Sequence, residues 1–424
     1  MAGVEVDRRY LRWIEGHLLG VERECSPASF DELVCLMRGA YPTETAAAIT
    51  RLAKSRALDT AAVARLQRRA PGGEAAASAR YQIGLPVPHP LDFDWRFTDA
   101  SADALLNLGV DVCRPGETIA LLGTPSVYAA AGRANAGRRV ILWDQNGYSD
   151  SRASDVPHSD LSVSRCDIAT SPLPSAIASY VVLDPPWYND KYRSFVWAAS
   201  CLSKVNATVA MVVPGQGTRP GIHADHASVV RYGATTGLRL EEHREGAIAY
   251  IAPRFERNAL EAAGLGSLPW SWRRGDLLVF RRTEGSPAPR PAPIAPDRVW
   301  AEIEWMATRV RVRARGSASA VPSIVRLVDG DVLDSVSRRD PRRPSVDVWT
   351  AGNRVYKCDA GAALSRLLYG LARGVTPVKA LALDRDLSEE ERGTLEASVG
   401  VLVDALDAEA SELRSDATRT AAAA

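Results

Sequence analysis

Residues 180–187 read Tyr-Val-Val-Leu-Asp-Pro-Pro-Trp, an apolar run that stops on an acid, two prolines and an aromatic ring. An apolar run with no polar alternation is expected of a strand buried on both faces of a parallel sheet. Further short apolar runs lie at residues 118–123, 139–143, 207–213 and 277–280, with helical patterns between them. That alternation over residues 91–284 predicts an α/β domain whose parallel sheet is covered on both faces. In such sheets ligands bind beyond the carboxyl ends of the strands, so the corner that starts at Asp184 is expected to face the functional crevice.

The corner has a chemistry of its own. Consecutive prolines fix the backbone and remove two N–H donors, which leaves outward carbonyls with no ladder partner. Asp184 beside the Pro185 carbonyl supplies closely spaced acceptors, a receptor for an NH2 group. Pro186 holds the corner rigid, and Trp187 offers a flat face to a base or an alkyl stem. Holding both amine hydrogens aims the nitrogen lone pair, and for attack on a methyl sulfonium positioning is most of what a protein must provide.

The rest of the chain sets the boundaries of this reading. Its 424 residues are 46% hydrophobic and 24% charged, a globular composition long enough for two or three domains. Basic and acidic residues number 52 and 51, so no overall field draws the chain to nucleic acid or an anionic membrane. Six scattered cysteines, no signal-peptide pattern and no apolar run near the length of a membrane span predict a cytoplasmic protein without disulfides or membrane contact. Breaker-rich stretches at residues 70–90 and 285–296 divide it into blocks, the second expected to be a semi-rigid spacer.

The first block, residues 1–72, predicts three short helices: one capped by Ser29 and carrying Phe30, Leu33, Val34 and Met37, one capped by Thr43, and one near residues 58–66. Three short helices with a tight turn fit a helical, winged-helix-like module that could read DNA, or a docking domain. The third block, residues 297–424, predicts a C-terminal α+β domain. Arg309, Arg311, Arg313 and Arg315 alternate with Val310, Val312 and Ala314 along one strand, and Arg338, Arg339, Arg342 and Arg343 form a second basic knot. An acidic amphipathic helix from Asp384 onward, with Leu395, Val401, Leu402 and Leu406, is expected to neutralise the arginines within the domain or across a homodimer or larger assembly.

The Asp-Pro-Pro-Trp tetrapeptide with its strand resembles the amine-acceptor motif of class I S-adenosylmethionine-dependent N-methyltransferases, the adenine-N6 and amino-methylating group. Upstream, Asp94-Trp95-Arg96-Phe97-Thr98 and the run Ile119 to Tyr128, with Gly123-Thr124-Pro125-Ser126-Val127 in its loop, are similar to a branch of that group that includes protein-lysine methyltransferases. The resemblance covers roughly residues 92–283 and implies a Rossmann-like fold with S-adenosylmethionine as cofactor. By position it implies that Gly123, Thr124, Pro125 and Ser126 pass beside the methionine part, that Asp144 accepts from the ribose hydroxyls, and that Asp167 lies near the adenine amine. It further implies that Asp184, Pro185, Pro186 and Trp187 carry the reaction. Tyr188, Asn189, Lys191 and Tyr192 would line the acceptor pocket, and Arg254, Phe255 and Asn258, in the stretch before the last strand, would touch substrate unless that stretch is only a solvated loop.

The tryptophan of the tetrapeptide, the arginine strand and the helical module point to adenine N6 of DNA or RNA; near-zero net charge and the first loop point to protein lysine. A catalytically silent, methyltransferase-like scaffolding subunit is the alternative of another class. His223 and His226 have an H-x-x-H spacing, but the glycines and proline before them predict a loop with no third ligand in view, so no metal is expected.

Overall fold

The computed structural model describes residues 2–69, 86–134, 136–146, 160–266, 268–283, 288–293, 299–316, 321–381 and 387–423. They divide into two compact units. One comprises Met1–Pro86, Trp95–Ala252 and Ser267–Ile294, the other Val87–Asp94, Pro253–Gly266 and Ala295–Ala424. Among the described residues no helix is long and apolar enough to cross a membrane.

The first unit opens with four helices: α1 (Ala2–Cys25), α2 (Phe30–Leu36), α3 (Pro42–Lys54) and α4 (Thr60–Leu66). Ser29 caps α2 as its sequence predicts, accepting from the Glu32 N–H. The next helix begins one residue before Thr43, with Pro42 at its first position and no side-chain cap. Helix α1 was not expected, although Ile14, Leu18 and Val21 sit at helical spacing and are buried. Residues 2–69 contain no strand to serve as a wing.

This block is locked to the sheet by backbone contact. The Tyr10 hydroxyl donates to the Gly217 carbonyl at 2.9 Å, and the Gly217 N–H donates to Arg38 O at 3.0 Å. A Cβ on Gly217 would lie 2.6 Å from Met37 O, and one on Gly39, where φ is +83°, 2.8 Å from Arg274 O. Only glycine lets the two segments approach this closely.

The sheet of the first unit has eight strands in the order β1-β7-β8-β6-β5-β2-β3-β4. They are β1 (Arg96–Phe97), β2 (Thr118–Leu122), β3 (Arg139–Asp144), β4 (Leu161–Arg165), β5 (Ala178–Leu183), β6 (Ser203–Pro214), β7 (Leu238–Ile251) and β8 (Arg274–Arg282). Strands β4, β3, β2, β5 and β6 are parallel, and β8 runs antiparallel between β6 and β7. From β2 the chain builds outward through β3 and β4, then crosses to β5 on the other side, which makes a topological switch point between β2 and β5. This is an α/β, Rossmann-like architecture. The five interior runs were expected as strands of a parallel sheet, but the last of them, β8, runs antiparallel; β1, β4 and β7 were not expected.

Helices α5 (Asp99–Val112), α6 (Pro125–Ala134), α7 (Asn189–Leu202) and α8 (Ile222–Thr235) cover the sheet. Ile119, Leu121, Tyr180 and Val182 belong to one buried cluster, while Ala120, Leu122, Val181 and Leu183 belong to another. Side-chain alternation thus feeds two cores from the same strands, each full burial worth about 1.5–3 kcal/mol. Tyr180 fits because Gly109 of α5 faces it, where a Cβ would come to 2.5 Å, and its hydroxyl donates to Leu105 O at 3.0 Å.

The expected spacer at residues 285–296 is described only over 288–293, and there it is pinned to the first unit. Trp197 Nε1 donates to Ala288 O at 2.9 Å, and Arg290 lies 4.4 Å over the Trp197 ring. The earlier break falls largely on residues 70–85, outside the described residues.

The second unit holds helix α9 (Arg254–Ala262) and an antiparallel sheet ordered β11-β13-β12-β10-β9. Its strands are β9 (Trp300–Trp305), β10 (Thr308–Arg313), β11 (Ile324–Arg326), β12 (Val348–Thr350) and β13 (Val355–Cys358); helices α10 (Gly361–Leu371), α11 (Pro377–Leu381) and α12 (Glu389–Ala423) follow. Leu395, Val399, Leu402 and Leu406 carry α12 into the core, whereas Val401 is exposed. The arginines of β10 are neutralised, though by other acids than the expected helix. Arg309 and Arg311 pair with Asp92 at 3.0 and 2.6 Å, and Arg311 also with Glu302 at 2.6 Å. Arg313 and Arg315 pair with Asp347 at 3.3 and 2.5 Å. Glu409 of α12 is buried elsewhere, accepting from Thr350 Oγ1 at 2.6 Å, Gly352 N at 3.1 Å and Thr308 Oγ1 at 3.3 Å.

Candidate active site

Strand register decides which residues meet. Leu122 stands opposite Trp143 of β3 and Leu183 of β5. The residues that follow, Gly123, Asp144 and Asp184, therefore leave three neighbouring strands at the same edge. The Gly123 N–H donates to Trp143 O at 3.0 Å, and the Asp184 N–H to Leu122 O at 3.2 Å. Gly123 has φ +64°, a conformation that side chains rarely adopt, and a Cβ there would crowd the Phe195 ring at 3.2 Å, so this loop needs its glycine.

Beyond Gly123 the chain enters α6 at Pro125. The hydroxyls of Thr124 and Ser126 are buried and have no hydrogen-bond partner among the described residues. Two orphaned donors at a helix start are anomalous in a folded protein unless something polar completes them. Asp144 is buried at the end of β3, its Oδ1 accepting from Asn146 N at 2.8 Å. Asp167 is exposed and caps its own turn, accepting from Ala169 N at 2.9 Å and Thr170 Oγ1 at 3.2 Å.

The Asp184 corner is held by residues that the sequence did not reveal. The Tyr250 hydroxyl, wholly buried on β7, donates to Asp184 Oδ1 at 2.8 Å. Burial first, and the Asp184 charge second, push the Tyr250 phenol well above its usual value, so it stays a donor. Trp187 meets the Tyr250 ring edge-on at 5.3 Å, Trp95 meets it at 6.5 Å, and Arg273 lies 3.7 Å over Trp95. Tyr192 is buried with a hydroxyl that finds no partner among the described residues, and burial raises its phenol too.

A clamp fixes the far side of the corner. Arg219 donates to the Trp187 carbonyl at 2.9 Å and pairs with Asp225 at 2.6 Å. Asp225 also accepts from Asn189 Nδ2 at 2.6 Å, and Arg219 sits 5.8 Å over the Tyr188 ring. The Pro186 carbonyl is taken by the Tyr188 N–H at 2.6 Å, whereas no described backbone N–H outside regular elements reaches the Pro185 carbonyl. Lys191 is exposed.

Arg254, Phe255 and Asn258, expected to touch substrate or else to sit in a solvated loop, lie on the helix α9 in the second unit. There Arg254 pairs with Glu412, and Asn258 Nδ2 donates to Gly352 O at 2.7 Å. His223 and His226 lie on α8, not in a loop, and His226 groups with His243 of β7 and Asp276 of β8, partners too distant in sequence for spacing to reveal.

No family model matches the chain, and no curated protein does. The likenesses are structural. One is to the C9 mutein of the branched-chain polyamine synthase of Thermus thermophilus, in complex with N4-aminopropylspermidine and 5′-methylthioadenosine, at 19% identity and a TM-score of 0.48, covering 69% of this chain and 96% of that one. Another is to a variant of the 16S rRNA adenine-N1 methyltransferase of Catenulisporales acidiphilia, at 10% identity and a TM-score of 0.29, covering 43% of this chain and 92% of the other. A third is to the N-methyltransferase NodS of Bradyrhizobium japonicum, at 12% identity and a TM-score of 0.30, covering 43% and 94%.

Proposed function

We propose that this chain transfers a methyl group from S-adenosylmethionine to an amine nitrogen, with adenine N6 of DNA or RNA as the acceptor. The observation that carries the reading is the register that brings Gly123, Asp144 and Asp184 out side by side at the switch point of the sheet. The buried, unpartnered hydroxyls of Thr124 and Ser126 fit a polar cofactor tail at the start of α6, and Asp144 fits a ribose diol. When bound, the sulfonium supplies a carbon whose leaving group is already activated.

The chain's own residues then bind and orient. Asp184 and the Pro185 carbonyl accept the two amine hydrogens and turn the nitrogen lone pair toward the donor. Tyr250 holds the carboxylate, and Arg219 holds the Trp187 carbonyl, so the acceptor meets a corner fixed from both sides. Trp187 and Trp95, both partly exposed and packed edge-on against the buried Tyr250 ring, supply aromatic surface suited to a flat base. The paired arginines of β10 lend nucleic acid no support, so the base reading rests on the rings.

A carboxylate among aromatic faces is also the receptor of an alkylammonium, which favours an aliphatic amine as the second reading. A lysine side chain and a polyamine of the kind bound by the Thermus protein both have that chemistry. Once the ammonium loses a proton to solvent, the free amine attacks a methyl or an aminopropyl carbon of a sulfonium alike and expels the thioether, so both donors belong in the test.

The experiment incubates the full chain and Asp184→Ala with labelled S-adenosylmethionine or its decarboxylated form, offering DNA, RNA, cell protein and spermidine. Nuclease-sensitive methyl label, lost at least about 100-fold in the variant, is the expected result. Label that resists nuclease and yields to protease, or that enters spermidine, moves the acceptor to the second reading. Cofactor binding without any Asp184-dependent transfer refutes the enzyme and leaves the silent subunit.

A further inference from the structure

The geometry points to a divalent transition-metal site formed by His226, His243 and Asp276, at the flank of the sheet edge that carries the Asp184 corner. The three side chains come from α8, β7 and β8, and one ligand atom from each lies within 4.8 Å of the others. His243 Nε2 is 3.0 Å from Asp276 Oδ2, and the His226 and His243 rings meet edge-on at 6.0 Å between centroids. Two ligands bound at about 2.1 Å to one ion stand roughly 3 Å apart, so the His243–Asp276 spacing already matches one edge of a coordination shell.

What lies around the trio has the form of a supporting shell. His226 Nε2 bonds the Pro214 carbonyl at 2.9 Å, which requires its hydrogen there and leaves the lone pair on Nδ1. Ligating imidazoles commonly hold a backbone carbonyl with the opposite nitrogen in this way. The other oxygen of Asp276, Oδ1, is held by the Gly246 N–H at 2.8 Å, in the bulge of β7 where Gly246 has φ +59°. Asp276 is almost wholly buried, while the His243 side chain is one-third exposed, so an ion has a route in from solvent.

Two imidazoles and one carboxylate suit zinc, iron(II) or manganese(II) better than calcium or magnesium, which prefer oxygen alone. The ion would tie the first turns of α8 to β7 and β8. His226 follows Asp225, the acid that pairs with Arg219 behind Trp187, so the tie would stiffen the clamp on the acceptor corner. The three residues are placed by geometry independent of the proposed transfer reaction.

The test uses the full chain without a histidine tag, stripped by chelator and titrated with Zn2+ by calorimetry, and with Co2+ by visible absorption. A single saturable equivalent, visible Co2+ bands and a rise in Tm are expected. His243→Ala and Asp276→Asn should each weaken Zn2+ by at least about 100-fold, the upper limit for losing a mere outer-shell partner. His223→Ala, one turn away and exposed, should leave binding unchanged. Because His243 is partly exposed, its variant folds even if Asp276→Asn does not. Absence of saturable binding, equal affinity in His243→Ala, or equal loss in His223→Ala overturns the site.

Discussion

Removing one oxygen atom tests how the Asp184 corner is held. Tyr250→Phe deletes the hydroxyl that donates to Asp184 Oδ1 at 2.8 Å and keeps the ring that packs against Trp187, Trp95 and Phe97. A hydrogen bond to a charged acceptor contributes about 1.5–3 kcal/mol, more than a neutral pair. If that energy is expressed in the transition state, kcat/KM falls by about 10- to 150-fold, at 1.4 kcal/mol per decade. On the proposed reading the cofactor is held by the loop of Gly123 to Ser126 and not by the Tyr250 hydroxyl, so the Kd for S-adenosylmethionine should stay within about threefold, a difference of under 1 kcal/mol. Steady-state kinetics of methyl transfer, paired with calorimetric titration of the cofactor, separates the two. A folded Tyr250→Phe enzyme with unchanged kcat/KM, or with its whole loss in cofactor affinity, would refute the idea that Tyr250 positions the carboxylate.

Two further expectations concern stability. His17, His89 and His226 are all held below the usual histidine value, chiefly by burial, so the unfolded chain binds more protons than the folded one below pH 6.5. Their contribution is present above pH 6.5 and is lost as pH falls through the window below it, by up to about 1.4 kcal/mol per pH unit for each. Urea unfolding at stepped pH should give this slope, and His89→Gln should flatten it; an unchanged slope would contradict the assignment. Glu409→Ala leaves Thr350, Thr308 and the Gly352 N–H buried without their acceptor, and should lower unfolding free energy by about 3 kcal/mol or more, while Glu409→Gln loses less. A loss below about 1 kcal/mol in denaturant melts would mean that water replaces the carboxylate.

The parts of the molecule that were legible in the sequence share one property, locality. The runs before Gly123, Asp144 and Asp184 announce interior strands because burial on both faces leaves four consecutive apolar residues in each, 119–122, 140–143 and 180–183. Strand β7 went unread because its exposed half, residues 239–247, is charged and bulged, and β4 because Leu161-Ser-Val-Ser-Arg is short and half-exposed. Asp184 could be found from its neighbours in sequence, whereas Tyr250 reaches it, and Arg219 and Asp225 reach Trp187 and Asn189 beside it, through folding alone. The same limit explains the arginine strand: its alternation was visible, but Asp92, more than 200 positions earlier, gave no sign of being its partner.

The crossing of Gly39 with Gly217 has a consequence for how this protein can be altered. Two peptide chains there run too close for either to gain a methyl group, so the opening helices and the turn after β6 are coupled as tightly as two halves of a hinge pin. A hybrid that grafts the leading bundle of a relative onto this sheet would have to carry both turns across together, because each is shaped only for the other.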